Sequence, residues 1–155
     1  MKRHFTVSVY IIHGEKVLLL FHPKLQKWLP PGGHLEENES PPEGARREVL
    51  EETSLEISFV QQENLWVSRW NAHSFERPYM CLIAKMPEHK GEPAHEHLDL
   101  IYLATPIGNP TPTSSDPIRY FSLEEVNALK GDVDIFVETQ EAIASILKEE
   151  VLSEI

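Results

Sequence analysis

The segment GHLEENESPPEGARREVLEETSL, residues 33–55, joins a glycine-containing turn to a short and strongly acidic helix. Ser40 is a favourable N-cap, and Pro41 suits the first helical position. Glu43 follows Ser40 by three residues, which completes a capping box. These local signals predict a helix that is entered at Ser40 and continues over residues 44–53.

The acidic residues of this helix are spaced so that they share one part of its surface. Glu48 and Glu52 are four residues apart, Glu51 is three after Glu48, and Arg47 precedes Glu51 by four. Side chains at these spacings are neighbours, so the carboxylates repel one another unless a cation joins them. Composition alone favours a solvated acidic face. The other interpretation is a site for a hard divalent cation such as Mg²⁺, which prefers carboxylate oxygens.

The order of the residues resembles the signature of the Nudix hydrolase family, G-x5-E-x7-R-E-U-x-E-E-x-G-U, in which U is bulky and apolar. The matching positions are Gly33, Glu39, the run REVLEE at 47–52, and Leu55. The chain departs from the signature once, where Ser54 replaces the last glycine. The preceding run WLPPGG, residues 28–33, is also similar to the approach to this signature in the family.

The resemblance implies an α/β fold, the Nudix-type α/β/α sandwich with a mixed sheet, as a single Nudix hydrolase domain over residues 1–155. It implies hydrolysis of a nucleoside diphosphate linked to another group, with Mg²⁺ as the cofactor and Mn²⁺ as an alternative. Carried over by position, the metal ligands are the Gly32 carbonyl and the carboxylates of Glu48, Glu51 and Glu52. Glu48, Glu51 and Arg47 are the implied catalytic residues, with Arg47 orienting Glu51 or Glu39. Gly33 would permit a close backbone approach and an unusual backbone dihedral.

The general base stays open, because members of the family differ in where it lies. Some use the first glutamate of the Arg-Glu pair, which is Glu48 here, and others use a glutamate in a downstream loop. The downstream candidates in this chain are Glu92, Glu96 and Asp116. The resemblance also leaves open how many metal ions are bound.

Length and composition limit the classes of protein that the chain can be. Its 155 residues, of which 41% are hydrophobic, suit one compact domain with a workable core. The formal net charge of −11 argues against a large nucleic-acid surface. The single cysteine, Cys81, excludes an internal disulfide, and its apolar neighbours predict a core position. No apolar run reaches membrane-spanning length, so we expect no membrane contact and a cytoplasmic location, with the oligomeric state left open.

The remaining elements are read from hydrophobic periodicity and turn residues. A small helix should be capped by Ser122 with Glu125, and a longer helix should begin near Asp134. The run from 78 to 86 is expected to be a central strand of the sheet. The predicted strands cover residues 4–12, 16–21, 55–62, 64–69, 78–86, 98–104 and 118–121.

Cations and aromatic residues after the signature are candidates for substrate binding. Arg69 and Arg77 could meet phosphate oxygens, and Trp66 could stack on a base. Trp70 lies four residues after Trp66, so on a strand both would face one side and could equally belong to the core.

A second candidate metal site comes from three histidines close together in sequence. His89, His95 and His97 fall within nine residues and could bind zinc. Because no cysteine accompanies them in this irregular loop, solvent-facing histidines are the favoured interpretation.

Two classes of function remain. The first is a metal-dependent hydrolase acting on a small nucleotide: a nucleoside di- or triphosphate, or a dinucleoside polyphosphate. ADP-ribose and nucleotide sugars are the alternative substrates. The second class is a nucleotide-binding sensor without turnover. Loss of a signature glutamate would favour the sensor, and none is lost, which favours the enzyme.

Overall fold

The computed structural model describes residues 1–60, 63 and 65–148. Within these residues the chain forms eight strands and three helices. In order they are β1 (Arg3–His13), β2 (Lys16–His22), β3 (Lys27–Leu29), β4 (Gly32–His34), α1 (Pro41–Thr53), β5 (Ile57–Phe59), β6 (Met80–Met86), β7 (His95–Pro106), β8 (Ile118–Phe121), α2 (Leu123–Ala128) and α3 (Val137–Ile146).

The sheet is built around β1 and β7, which run parallel to each other. Their register extends from the pair Arg3 and Glu96 to the pair Ile11 and Ala104. The other strand pairs are antiparallel, so the sheet is mixed. The main path is β3-β2-β1-β7-β5, with β4 paired to β1, β6 to β7, and β8 to β2.

Both faces of the sheet are covered by helices. Alternate residues of β1 and β2 point to opposite faces, so each strand contributes side chains to two core clusters. On one face, Ala45 and Val49 of α1 belong to a core cluster with Val7, Val9 and Ile11 of β1. On the other face, α2 and α3 bury Val126, Ile143 and Ile146 in a second cluster with Tyr10, Ile12 and Leu19. The predicted α/β/α sandwich with a mixed sheet is therefore confirmed.

The predicted helix starts are confirmed for α1 and α2. The Ser40 side chain accepts a hydrogen bond from the Glu43 backbone N–H, and the Glu43 carboxylate accepts one from the Ser40 backbone N–H. Ser122 and Glu125 form the same reciprocal pair at α2. The third helix begins at Val137, later than expected near Asp134, because Phe136 still has extended backbone dihedrals.

Three strand predictions need correction. The strand predicted over 55–62 is shorter, since β5 covers Ile57–Phe59, and residues 61 and 62 lie outside the described part of the chain. The segment predicted as a strand over 64–69 forms none among its described residues; Ser68 makes only an isolated bridge with His73. Among the described strands, β6 pairs only with β7, so it is not central.

The edge position of β6 also explains a wrong core prediction. Its residues alternate between exposed and half-buried, and Cys81 is on the exposed side. The described residues contain no helix that is both long and apolar enough to cross a membrane.

Ser54 ends α1 in the left-handed conformation that a glycine usually supplies. Its φ is 64° and its ψ is 14°, and its hydroxyl donates to the carbonyl of Thr113 at 3.2 Å. The left-handed conformation costs a residue with a Cβ roughly 1–2 kcal/mol, while an exposed hydrogen bond returns about 0.5–1 kcal/mol. The hydroxyl therefore offsets part of the backbone cost at this position.

We predict that Ser54→Gly stabilises the protein by about 0.5 kcal/mol, since it removes the backbone strain but also the bond to Thr113. Ser54→Ala should destabilise it, because it loses the bond and keeps the strain. Urea unfolding of both variants should separate them by about 1 kcal/mol. If Ser54→Gly were less stable than Ser54→Ala, the left-handed backbone conformation at residue 54 would not be destabilising the protein.

Candidate active site

The glycine turn and α1 come together at the start of the signature segment. Gly33 lies in β4, and a Cβ placed there would be only 2.5 Å from the Cδ and Oε1 atoms of Glu48. The close approach expected at Gly33 is therefore present. The unusual dihedral is not, since the φ of Gly33 falls outside the positive range. A side chain at this position would displace the Glu48 carboxylate.

The Arg47 guanidinium is the centre of the hydrogen-bond network in this segment. It donates to both carboxylate oxygens of Glu39, at 2.7 and 2.9 Å. One of its Nη atoms also donates to Glu48 at 2.9 Å and to Glu51 at 3.4 Å, and the other donates to the backbone carbonyl of His34 at 3.0 Å. These bonds hold the Glu39 carboxylate ionised, with its pKa below the usual range. Arg47 thereby fixes the position of Glu48 relative to strand β4.

Glu52 lies next to Glu48 and is held from the β4 side. The backbone N–H of Gly32 donates to Glu52 Oε1 at 2.9 Å. Burial, together with the neighbouring Glu48 charge, raises the pKa of Glu52 to about 7. Burial also raises the pKa of Glu48, although Arg47 acts in the opposite direction. The two carboxyls also share a hydrogen bond, which favours the protonated form of Glu52 and the ionised form of Glu48.

The remaining predicted carboxylates lie at different distances from this pair. Glu51 is 59% exposed at the rim. Asp116 is near enough that its charge raises the pKa of Glu52. Glu96 Oε1 forms an ion pair with Arg3 Nε at 2.9 Å, and Glu92 Oε1 lies 3.9 Å from His95 Nε2. Among the four candidates for the general base, Glu48 and Asp116 are thus those whose charges act on Glu52.

The donor chemistry of this cluster suits a hard cation. Its members are carboxylate oxygens and the Gly32 backbone, which are the ligand types of Mg²⁺. In the described part of the chain, no three His, Cys, Asp or Glu side chains are already gathered around one point. At this cluster, Arg47 donates to an oxygen of Glu48 and the Gly32 N–H donates to an oxygen of Glu52. A cation would compete with these donors for the same oxygens.

A cavity of about 310 Å³ adjoins the carboxylates. Gly32, Gly33 and Glu52 line one end, and much of the remaining wall is apolar, including Leu29, Leu82 and Phe136. Asp99 also lines it and is held by hydroxyl donors, with Thr6 at 2.9 Å and Ser8 at 2.9 and 3.1 Å. Burial raises the pKa of Asp99. Sequence reasoning missed this residue, although an aspartate in the apolar strand LDLIYLA was a signal.

The predicted histidine group is rearranged by the fold. His89 is exposed, as expected. The expectation of solvent-facing side chains is wrong for His95, which is 7% exposed, and for His97, which is half-buried. These two lie beside His4 and His34, which sequence reasoning did not single out. Burial and the neighbouring histidines lower the pKa of His97 to about 4, so it is neutral at pH 7.

The predicted substrate-binding residues lie in the segment between β5 and β6. Trp66 is 49% exposed and Trp70 is 94% exposed, so neither is a core residue. The Arg69 backbone N–H donates to Ala72, and that of Arg77 donates to the Glu63 carboxylate at 2.8 Å. None of these side chains is among those that line the 310 Å³ cavity.

Comparisons with known proteins agree with this geometry. A sequence model of the NUDIX domain matches residues 2–139. A Nudix-family hydrolase from Clostridium perfringens is 27% identical in sequence, with a TM-score of 0.70 over 95% of this chain and 97% of that one. A MutT protein from Methanosarcina mazei Go1 (15% identity, TM-score 0.63) aligns over 93% of this chain and 92% of its own. A UDP-X diphosphatase (14% identity, TM-score 0.59) aligns over 95% of this chain and 63% of its own. These two share the fold.

A comparison with curated protein sequences found no significant match. The family model covers most of the chain and includes the whole of the carboxylate cluster. The chain therefore belongs to the Nudix family and is a hydrolase of anhydrides in phosphorus-containing compounds.

Proposed function

We propose that the enzyme hydrolyses the phosphoanhydride of a small nucleotide and depends on Mg²⁺, with Mn²⁺ as an alternative. The observation that carries this proposal is the pairing of Glu48 and Glu52 at the end of a mostly apolar cavity. Without a metal ion the two adjacent carboxyls share a hydrogen bond that keeps a proton on Glu52, and a cation would take the place of that proton. A divalent cation supplies the positive charge that replaces it.

The residues that would hold the cation are Glu48, Glu52, the rim carboxylate Glu51 and the Gly32 carbonyl. When bound, the ion would offset phosphate charge and favour ionisation of a water molecule. Arg47 donates to Glu48 Oε1 and so holds this carboxylate close to Gly33. Glu48 or Asp116 would accept the proton of the attacking water, since both lie close to the carboxyl pair.

The cavity supports a small nucleotide as the substrate, either a nucleoside di- or triphosphate or a dinucleoside polyphosphate. Its volume of about 310 Å³ is at the small end for ligand pockets and suits one base or a similar ring. Asp99 would hydrogen-bond to a polar edge of that group, and the apolar wall would contact its faces. Since Trp66, Arg69 and Arg77 do not line the cavity, their proposed role is limited to the part of the substrate outside it.

Glu52→Gln removes one charge and nearly keeps the side-chain shape. We predict that Mg²⁺-dependent phosphate or pyrophosphate release falls at least about tenfold, as at other disturbed metal sites. Glu141→Gln, an exposed change on α3 that removes the same charge, is the matched control and should keep full turnover. Wild-type turnover by the Glu52 variant at limiting Mg²⁺ would refute this assignment.

The raised pKa of Glu52 predicts a pH dependence of stability. In EDTA, the folded state binds more protons at Glu52 than the unfolded state between about pH 4.5 and about 7, so the free energy of unfolding should fall as pH rises through this range. Added Mg²⁺ should stabilise the protein more at pH 8 than at pH 6, because the ion requires ionised carboxylates. Thermal unfolding measures both effects. In EDTA, the free energy of unfolding of the Glu52→Gln variant should fall much less with rising pH. The same pH dependence as in the wild type would contradict the assignment of this effect to Glu52.

The substrate class is tested by steady-state kinetics over a panel of compounds with and without Mg²⁺. We expect the largest kcat/KM for a nucleoside di- or triphosphate or a dinucleoside polyphosphate. A larger value for ADP-ribose, a nucleotide sugar or 5′-triphosphate RNA would overturn the proposed substrate. Nucleotide binding without turnover of any compound would instead support the sensor.

A further inference from the structure

Four histidines meet where β1, β4 and β7 lie side by side, and the proposed reaction does not use them. They are His4 of β1, His34 of β4, and His95 and His97 of β7. Strand register brings them together: His4 is opposite His97, and His34 is opposite Thr6, two residues along β1 from His4. Residues two apart on a strand share a face, so all four rings lie on the same side of the sheet.

The distances within this histidine cluster are those of ligands that share an ion. His95 Nε2 and His97 Nε2 are 3.1 Å apart, and His4 Nδ1 and His34 Nε2 are 3.3 Å apart. Two nitrogens bound tetrahedrally to zinc at about 2.0–2.1 Å are separated by about 3.3–3.4 Å. Five ring-to-ring distances in the cluster run from 5.0 to 6.3 Å. Rings bound to one tetrahedral ion would have centroids about 5 Å apart.

The hydrogen bonds of His95 leave a lone pair directed into the cluster. Its Nδ1 is 3.0 Å from the carbonyl oxygen of Pro93, which can only accept, so Nδ1 carries the proton. In neutral His95 the other nitrogen, Nε2, is then unprotonated and faces His97 Nε2. A histidine that donates one N–H to a backbone carbonyl and offers the other nitrogen is the usual arrangement of a metal ligand.

One nitrogen of the cluster is buried and lacks a partner. Among the described side chains, His4 Nε2 is the buried nitrogen or oxygen without a hydrogen bond. Leaving a buried polar atom unsatisfied costs about 1–3 kcal/mol, so native sites of this kind usually have a further occupant. The rings form two hydrogen-bonded pairs, and in the described structure no three of them are placed to hold a metal ion together. An ion between the pairs would turn them inward.

We propose that His4, His34, His95 and His97 form a binding site for a divalent transition-metal ion of the Zn²⁺ class, separate from the carboxylate site. Neutral imidazoles suit Zn²⁺, Co²⁺, Ni²⁺ or Cu²⁺, whereas Mg²⁺ prefers oxygen ligands. Glu92, 3.9 Å from His95, adds a negative charge at the edge of the cluster. Because His34 and His97 also line the cavity, the ion lies in the wall of the active site.

The test is a Zn²⁺ titration of the full chain, stripped with EDTA, dialysed, and kept in excess Mg²⁺ so that the carboxylates are occupied. We expect one Zn²⁺ per chain. His34→Gln and His97→Gln should each weaken binding at least about tenfold. His34 is exposed, so this substitution should leave the fold intact. The matched control is His89→Gln, an exposed histidine outside the cluster, which should bind Zn²⁺ as the wild type does.

Co²⁺ provides an independent readout, because a tetrahedral imidazole site gives intense visible absorption and an octahedral carboxylate site gives weak absorption. We expect the intense bands in wild type, in His89→Gln and in Glu52→Gln, and their loss in His34→Gln. Glu52→Gln separates this proposal from the proposed function, since it should lower turnover at least about tenfold but leave Zn²⁺ binding unchanged. Wild-type Zn²⁺ affinity in both cluster variants, or loss of Zn²⁺ binding in Glu52→Gln, would overturn the site.

Discussion

The fork of hydrogen bonds from Arg47 holds the active-site segment together. One guanidinium binds Glu39 through two nitrogens, reaches Glu48 and Glu51, and also donates to the His34 carbonyl. It therefore joins the end of β4, the loop before α1 and the acidic face of the helix. A lysine could not replace it, because an ammonium is a compact charge without the planar fork that makes paired bonds. The position of the Glu48 carboxylate against Gly33 depends on this arrangement.

The carboxylate pair beyond Arg47 remains in electrostatic conflict. Arg47 donates to Glu48, whereas the Glu52 carboxyl accepts from the Gly32 N–H and shares a hydrogen bond with Glu48. Burial and the neighbouring carboxyl raise the pKa of Glu52 to about 7. A helix selected only for stability would gain little from this placement. A bound cation would relieve this conflict, which lies where the cavity ends.

The sequence predicted those features that depend on neighbouring residues. The capping boxes at Ser40 and Ser122 involve side chains three residues apart, and the acidic face of α1 follows from helical spacing. The left-handed end at Ser54 could also be anticipated, because the family signature has glycine there. Short-range geometry and a specific motif were sufficient for these elements.

Features that depend on long-range pairing were missed. His4 and His97 are 93 residues apart and meet only because β1 and β7 pair in parallel. The apolar strand around Asp99 was a signal of burial, but its hydroxyl partners Thr6 and Ser8 come from β1 and could not be identified from the sequence. The edge position of β6 likewise follows from the strand order, which its apolar composition does not encode. Periodicity describes the faces of an element but does not identify its neighbours.

The central claim is that the Glu48 carboxylate, fixed between Arg47 and Gly33, is part of a cation site. Mn²⁺ binding to Gly33→Ala, followed by electron paramagnetic resonance, tests it most directly. The added Cβ would lie 2.5 Å from the Glu48 carboxyl and must displace that flexible group, while every charge in the protein is kept. The account predicts that the Kd for Mn²⁺ rises at least about tenfold with unchanged circular dichroism. An unchanged Kd in this variant would contradict it.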